Sequence, residues 1–196
     1  AAIGSRYDAV DLAIVANNLQ MSAASGGDAR VGTTYGGTSA VAVTTAGNIA
    51  LTSGSSGGST RIGIGTGMGS VSLLSSGGDI STSAGSVIYG GGVILTTSTG
   101  DILSQGSLDA ANSDLEVYSA RDATLAGMTA GSDIVVSAGR DLSLSGSASA
   151  PGGGIQLSAG SSDGGNVGLG ASTVTASGHI VIEALQGASR AGTLSW

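Results

Sequence analysis

Apolar and polar residues alternate along short stretches of this chain, and glycine bounds each stretch. In residues 131–146, GSDIVVSAGRDLSLSG, Ile134 and Val136 are followed, after another glycine and aspartate, by Leu142 and Leu144. A period of two places alternate side chains on the same face of a β-strand. Glycine supplies the backbone freedom that a corner requires. The pattern therefore predicts short strands, each with one buried face, joined by tight corners.

A longer period relates whole segments of the chain. Residues 114–127 align without gaps on residues 133–146, an offset of 133 − 114 = 19. Two strands per repeat, stacked on the next two, are typical of a solenoid with a repeat of about 20 residues. The predicted fold class is all-β, a single-stranded parallel β-solenoid (β-helix) with coils of about 19–25 residues. In this register the inward residues Ile134, Val136, Leu142 and Leu144 stack on Leu115, Val117, Ala123 and Leu125.

The whole chain, residues 1–196, is predicted to form one solenoid domain. Residues 1–40 are a less regular N-terminal segment, residues 41–184 carry recognisable repeats, and residues 185–196 form a C-terminal tail. In the N-terminal segment the alternation around Leu12 favours a strand over a helical cap. Stretches rich in glycine and serine, such as SGSASAPGGG, are interpreted as bulging corners.

Composition narrows the function classes. The chain has 37 glycines and no phenylalanine, which disfavours helices, and it has no cysteine, which excludes disulfides and thiolate metal sites. All six basic residues are arginine and the net charge is −7, so no basic stripe for nucleic acid is expected. No apolar run approaches the ~20 residues of a membrane helix, so no membrane span is predicted.

Catalytic patterns are weak. GSSGG at 54–58 and GSSDG at 160–164 fit the G-x-S-x-G nucleophile pattern, but such matches are frequent in a chain so rich in glycine and serine. His179 is the only base that could serve them, and it occupies a strand-start position filled elsewhere by aspartate or asparagine. We therefore expect no enzyme activity, no catalytic residues and no organic cofactor.

Stacked aspartates offer a weak metal site. A 19-residue coil places Asp114 about 4.8 Å from Asp133, without an arginine partner, and like charges so close attract a cation such as calcium. The alternative is that each aspartate accepts hydrogen bonds from backbone N–H groups of its own turn. Four charged residues of the same repeat are expected to form an exposed, stacked charge ladder: Arg121, Asp122, Arg140 and Asp141.

The repeats GSDIVVSAGRDLSLSG and ARDATLAG resemble those of filamentous-haemagglutinin-type bacterial exoproteins. The stretch SGSSGGSTRIGIGTGMGSVSLLSSGGDIS is similar to glycine- and serine-rich repeats in secreted proteins of algae and other protists. The resemblance implies an exported, rod-like protein, located outside the cell or on its surface. Its implied role is a structural element of an extracellular filament or a surface adhesin, with cell-surface or extracellular-matrix components as partners.

Both ends of the chain look uncapped. The start is apolar and strand-like, and the finish carries little charge and ends on the only tryptophan. We expect a head-to-tail homo-oligomer, an open filament whose interface includes Trp196, Leu194, Val10 and Leu12. The alternative is that the native chain continues. Competing functions are an ice- or surface-binding solenoid, suggested by VTT (43–45), TTST (96–99) and STVT (172–175), and a polysaccharide-active enzyme.

Overall fold

The regular elements of the described residues are all β-strands. The structure is a computed structural model that describes residues 1–5, 11–33, 39–64, 69–162, 164–187 and 192–195. In chain order, strands β1 to β22 are Ala2–Ile3, Leu12–Ala16, Leu19–Ser22, Asp28–Thr33, Val41–Thr45, Ile49–Thr52, Ser59–Ile64, Ser70–Ser75, Ile80–Thr82, Ser86–Gly90, Gly92–Thr97, Ile102–Ala110, Leu115–Ser119, Ala123–Ala130, Ile134–Ala138, Leu142–Leu144, Ser147–Ala150, Ile155–Ala159, Asn166–Gly168, Thr173–Ala176, Ile180–Ala184 and Thr193–Ser195.

These strands stack into three parallel columns, which we call faces 1, 2 and 3. Face 1 is the eight-stranded sheet β2-β5-β8-β11-β13-β15-β18-β21. Face 2 contains β3, β6, β9, the first halves of β12 and β14, then β16, β19 and β22. Face 3 contains β1, β4, β7, β10, the second halves of β12 and β14, then β17 and β20. The predicted parallel β-solenoid is therefore confirmed.

The expectation of two strands per coil is correct for the fourth and fifth coils, β11-β12 and β13-β14, in which the second strand runs along both face 2 and face 3. It is wrong for the sixth coil, β15-β16-β17, which has three strands. The third strand of the sixth coil is Ser147–Ala150, which lies in the stretch that the sequence suggested as a bulging corner. Its sequence, SASA, has no large apolar residue. Ala148 and Ala150 are nevertheless buried, because the coils on either side cover them. The doubled phrase of residues 131–146 forms faces 1 and 2 of this coil.

The predicted register of the central repeats is confirmed. Leu115 pairs with Ile134 and Val117 with Val136 on face 1. On face 2 the pairs are Ala123 with Leu142 and Leu125 with Leu144. All eight side chains are at most 2% exposed. Because other coils repeat this arrangement, the core consists of narrow columns of inward side chains that run along the solenoid.

The coils differ in length along the chain. Leu12 pairs with Val41 at an offset of 41 − 12 = 29, and Val41 pairs with Val71 at an offset of 71 − 41 = 30. The offset from Leu115 to Ile134 is 134 − 115 = 19. The early coils are thus longer than predicted, and the N-terminal segment contributes a complete coil with strands on all three faces. The predicted strand around Leu12 is confirmed, and the extra residues of the early coils leave the columns in register.

Candidate functional site: polar corners and open edges

The corner between faces 1 and 2 carries a continuous column of asparagine and aspartate side chains, which we call the Asx ladder. In each coil the backbone N–H of the ladder residue donates to the side-chain Oδ1 of the ladder residue one coil earlier, at 2.7–3.2 Å. The members are Asn18, Asn48, Asp79, Asp101, Asp122, Asp141 and Asn166. The ladder satisfies a corner N–H in each of the second to seventh coils, so it links these coils where their strands turn.

Two of the four aspartates in the Asx ladder pair with arginines. The guanidinium of Arg121 lies 3.2 Å from the carboxylate of Asp101. The guanidinium of Arg140 lies 2.5 Å from the carboxylate of Asp122. The predicted stacked charge ladder is therefore present, with each arginine paired to the aspartate one coil earlier. Partial burial would raise the pKa of Asp122, but hydrogen bonds from Arg140 and the N–H of Asp141 lower it below its usual value. The hydrogen bonds to Asp122 raise the pKa of Arg140.

Asp114 and Asp133, the predicted calcium ligands, lie on successive coils at the corner before face 1. The N–H of Asp133 donates to Oδ1 of Asp114 at 3.1 Å, and the N–H of Gly154 donates to Oδ1 of Asp133 at 2.6 Å. The alternative of backbone bonding is thus correct in kind, but the donor belongs to the next coil instead of the same turn. Calcium takes six to eight oxygen ligands. Within the described ranges no three acidic, histidine or cysteine residues form a group suited to a metal.

His179 lies in the same corner column, two coils after Asp133, with Gly154 in the coil between them. Its carbonyl accepts the N–H of Ile155, and its imidazole lies against the backbone of Gly154. The serine at the centre of the pattern at 160–164, Ser162, donates its hydroxyl to the carbonyl of Gly139 at 2.6 Å. Among the described residues, no hydrogen bond joins His179 to Ser162 or to Ser56. The arrangement at these residues is that of corner side chains bonded to neighbouring backbone.

Hydroxyl groups line part of the interior, which the sequence did not predict. Thr60 is fully buried, and its Oγ1 lies 2.7 Å from Oγ of Ser86 and 3.1 Å from Oγ of Ser53. One coil further on, Thr82 and Ser104 share a hydrogen bond of 2.9 Å. These side chains fill core positions near the corner between faces 2 and 3. Their hydroxyls satisfy one another and nearby backbone groups inside the solenoid.

The three threonine stretches do not form one array. Within VTT and TTST, Thr44 and Thr96 point outward from face 1, whereas Thr45 and Thr97 are buried beneath it. Thr173, in STVT, is exposed on β20 of face 3. Leu74 lies between Thr44 and Thr96 in their column. A flat, regular threonine surface of the kind expected for ice binding is therefore absent from these stretches.

The two edges of the described solenoid expose residues that belong to the core columns. Ile180 continues the face 1 column of Ile134 and Ile155, which are fully buried, yet it is 45% exposed. Leu194 continues a buried face 2 column and is 40% exposed. At the opposite edge Leu12 is only half-buried. Of the predicted interface residues, Leu12 and Leu194 thus lie at opposite edges, whereas Val10 and Trp196 lie outside the described residues.

Part of this polar structure was readable in the sequence. Each Asx ladder residue from Asn18 to Asp141 directly precedes an apolar residue that begins a face 2 strand, as in Asn48-Ile49, Asp79-Ile80 and Asp101-Ile102. This recurrent pair could have identified the ladder. The buried hydroxyls give no such signal, because serine and threonine are abundant everywhere in the chain.

No protein-family model, curated protein or solved structure matches this chain. None of the described residues forms a helix long and apolar enough to cross a membrane.

Proposed function

We propose that this chain is a non-catalytic structural protein, a subunit of an extracellular filament or surface adhesin that assembles by end-to-end stacking of solenoids. The observation that carries the proposal is the exposure of core-column residues at both edges. A fully buried column that ends in Ile180, 45% exposed, has apolar area available for another coil. The resemblance to filamentous exoproteins supports an extracellular or cell-surface location.

The outer strands of face 1 at the two edges have the same length, and both carry apolar residues at their core positions. β2 and β21 are the outer strands of face 1, and each is five residues long. Head-to-tail stacking would place the edge of β2 in one copy against the edge of β21 in the next, with the strands parallel. Leu12 and Ile14 would then cover Ile180 and Ile182, and the core columns would continue across the junction. Because the two interface surfaces differ, such contacts build an open filament.

Sedimentation velocity over a concentration series, with electron microscopy of the same samples, tests the proposal. The parent chain should form rods that lengthen with concentration. Ile180→Lys should abolish assembly, because it places a charge in the apolar junction. Gln156→Lys is the matched control, since it introduces the same charge at an exposed outward position on face 1 and should assemble like the parent.

A parent chain that remains monomeric at micromolar concentration would refute end-to-end assembly of copies. The remaining explanation of the exposed edges would then be that further coils of a longer native chain cover them. Equal assembly by Ile180→Lys and the parent would refute the proposed junction. Trp196→Ser tests the part of the predicted interface that lies outside the described residues, and should weaken assembly.

A further inference from the structure

Two arginines lie side by side on face 3 near the N-terminal edge. Arg30 of β4 pairs in register with Arg61 of β7, so their backbones lie about 4.8 Å apart. Both alternate with buried residues of their strands and point outward. The residues at the same position in the adjacent coils are Ala2 and Val87, so the column offers no charge of opposite sign on either side.

Neither arginine has a polar partner for its side chain among the described residues. The Nε of Arg30 is buried and makes no hydrogen bond. A buried guanidinium donor without an acceptor is costly, because it has lost water and gained nothing in return. The other stacked pair, Arg121 and Arg140, provides the contrast, since each of these has a carboxylate of the preceding coil within 3.2 Å.

One acid, Asp28, lies on the same strand face, two positions before Arg30. Its Oδ1 accepts a hydrogen bond from the hydroxyl of Ser59 at 2.5 Å, so that oxygen is engaged across the strands instead of along them. Two positions after each arginine the strands carry Gly32 and Gly63, which are buried. Both have positive φ, 121° and 148°, and a Cβ on either would collide with a carbonyl of the next coil. These two positions therefore contribute no side chain beside the arginine pair.

We infer that Arg30 and Arg61 form a binding site for an oxyanion, which we call the arginine pair site. Two guanidinium groups of like charge on adjacent strands repel each other, and an anion between them removes that repulsion. Planar guanidinium donors match the oxygens of a sulfate or phosphate group. The same chemistry occurs on a free ion and on a sulfate ester of a polysaccharide, and the experiment distinguishes these two sources. The inference does not depend on filament assembly.

Calorimetric titration with inorganic sulfate and with dextran sulfate tests the site, with unsulfated dextran as the polymer control. We expect binding that weakens as salt concentration rises and that Arg61→Gln lowers by about tenfold or more. Arg61→Lys should retain part of the affinity, since it keeps the charge but loses the planar donor pair. Arg121→Gln removes an arginine that already has a partner, and should bind like the parent.

The outcomes separate the ligands. Binding of both probes means that an isolated oxyanion suffices. Binding of dextran sulfate alone means that the site requires an anion carried by a polymer. Either result supports the site if Arg61→Gln abolishes the binding. Asp28→Asn should strengthen binding, because it removes a nearby negative charge. Binding of neither probe, equal binding by Arg61→Gln and the parent, or weaker binding by Asp28→Asn would overturn the inference. Since Arg61 is exposed, Arg61→Gln should fold as the parent does.

Discussion

The second and third coils, the wide region, differ from the fifth and sixth, the tight region, above all in the chemistry of their interior. The second coil is the longest of the four, since Val41 and Val71 are offset by 71 − 41 = 30. The third coil has an offset of 93 − 71 = 22, close to the offsets of 134 − 115 = 19 and 155 − 134 = 21 in the fifth and sixth. Buried hydroxyl side chains of the wide region bond to one another, to corner backbone or, for Thr82, to Ser104 of the fourth coil: Thr45, Thr60, Ser75, Thr82 and Ser86. Within residues 115–150, all of which the structure describes, Ser119 alone is a buried polar residue. The wide region thus has the more polar interior, and its 22-residue third coil shares this property with its 30-residue second coil.

The difference in interior polarity is clearest at the last inward position of the face 1 strands. In the wide region Thr45 and Ser75 both donate to the carbonyl of Gly47, at 2.6 Å each. After Ser119 the column continues with Ala138 and Ala159, and both are fully buried. Corner carbonyls that no strand pairing satisfies require another donor. Both regions have a backbone bond at this corner, from the N–H of Ser76 to the carbonyl of Thr45 and from the N–H of Gly139 to the carbonyl of Ser119. The wide region adds hydroxyl donors to it, whereas Ala138 and Ala159 have none.

The largest expected effect comes from placing a charge in the tight region. Leu144→Asp buries an unpaired carboxylate among apolar columns and should lower the free energy of unfolding by at least about 4 kcal/mol. Ser143→Asp is the matched control, because residue 143 is exposed on the same strand. Urea denaturation followed by circular dichroism measures both. A Leu144→Asp variant with the urea midpoint of the parent, or one that melts within about a degree or two of it in a thermal scan, would mean that the register is wrong.

A smaller effect should follow from removing a hydroxyl from the wide region. Thr60→Val keeps the shape of the side chain but leaves Ser53 and Ser86 without one hydrogen-bond partner, and should cost about 1–3 kcal/mol of stability. Thr124→Val makes the same change at an exposed position of β14 and should be nearly neutral. Equal stability of Thr60→Val and the parent would mean that the wide region does not depend on its buried hydroxyls.

The Asx ladder should make the tight region sensitive to acid. Because the folded pKa of Asp122 is lowered, its contribution is complete above the ordinary value of about 3.9 and is lost as the pH falls through the lower folded pKa. Asp122→Asn keeps the Oδ1 acceptor but loses the charge. It should be less stable than the parent at neutral pH, and the difference should close below about pH 4. Urea midpoints across this range measure it, with the exposed Glu183→Gln as control; a constant difference would contradict the linkage.

The smallest effect is expected at the exposed ion pair of Arg121. Its side chain is 50% exposed and that of Asp101 32%, so Arg121→Gln should change the free energy of unfolding by less than about 1 kcal/mol. Thermal unfolding at low and high salt measures this change. A larger loss, independent of salt, would indicate that the arginine stabilises the ladder through packing instead of charge.

The strand register of residues 114–146 could be predicted from the sequence, because two aligned copies of the repeat have the same pattern of apolar positions. Leu115 and Ile134 occupy equal positions in two aligned copies, and a one-residue slip would have moved every apolar residue outward. Ser147–Ala150 gave no such signal. Alanine and serine are compatible with a corner or a strand, and only the coils above and below decide which forms. The same limit applied to Asp114 and Asp133, for which the sequence suggested their stacking but not the coil that donates to them.

The sequence by itself determined the all-β class, the alternation of buried and exposed positions, and the stacking of like residues, since these follow from a strand period and a coil period that can be read directly. The tertiary structure alone decided the third face, the buried hydroxyls of the wide region and the placement of Arg30 beside Arg61. These features depend on which residues of neighbouring coils face each other. That correspondence is set by the length of every corner, and corners of unequal length leave no periodic trace in a sequence this rich in glycine and serine.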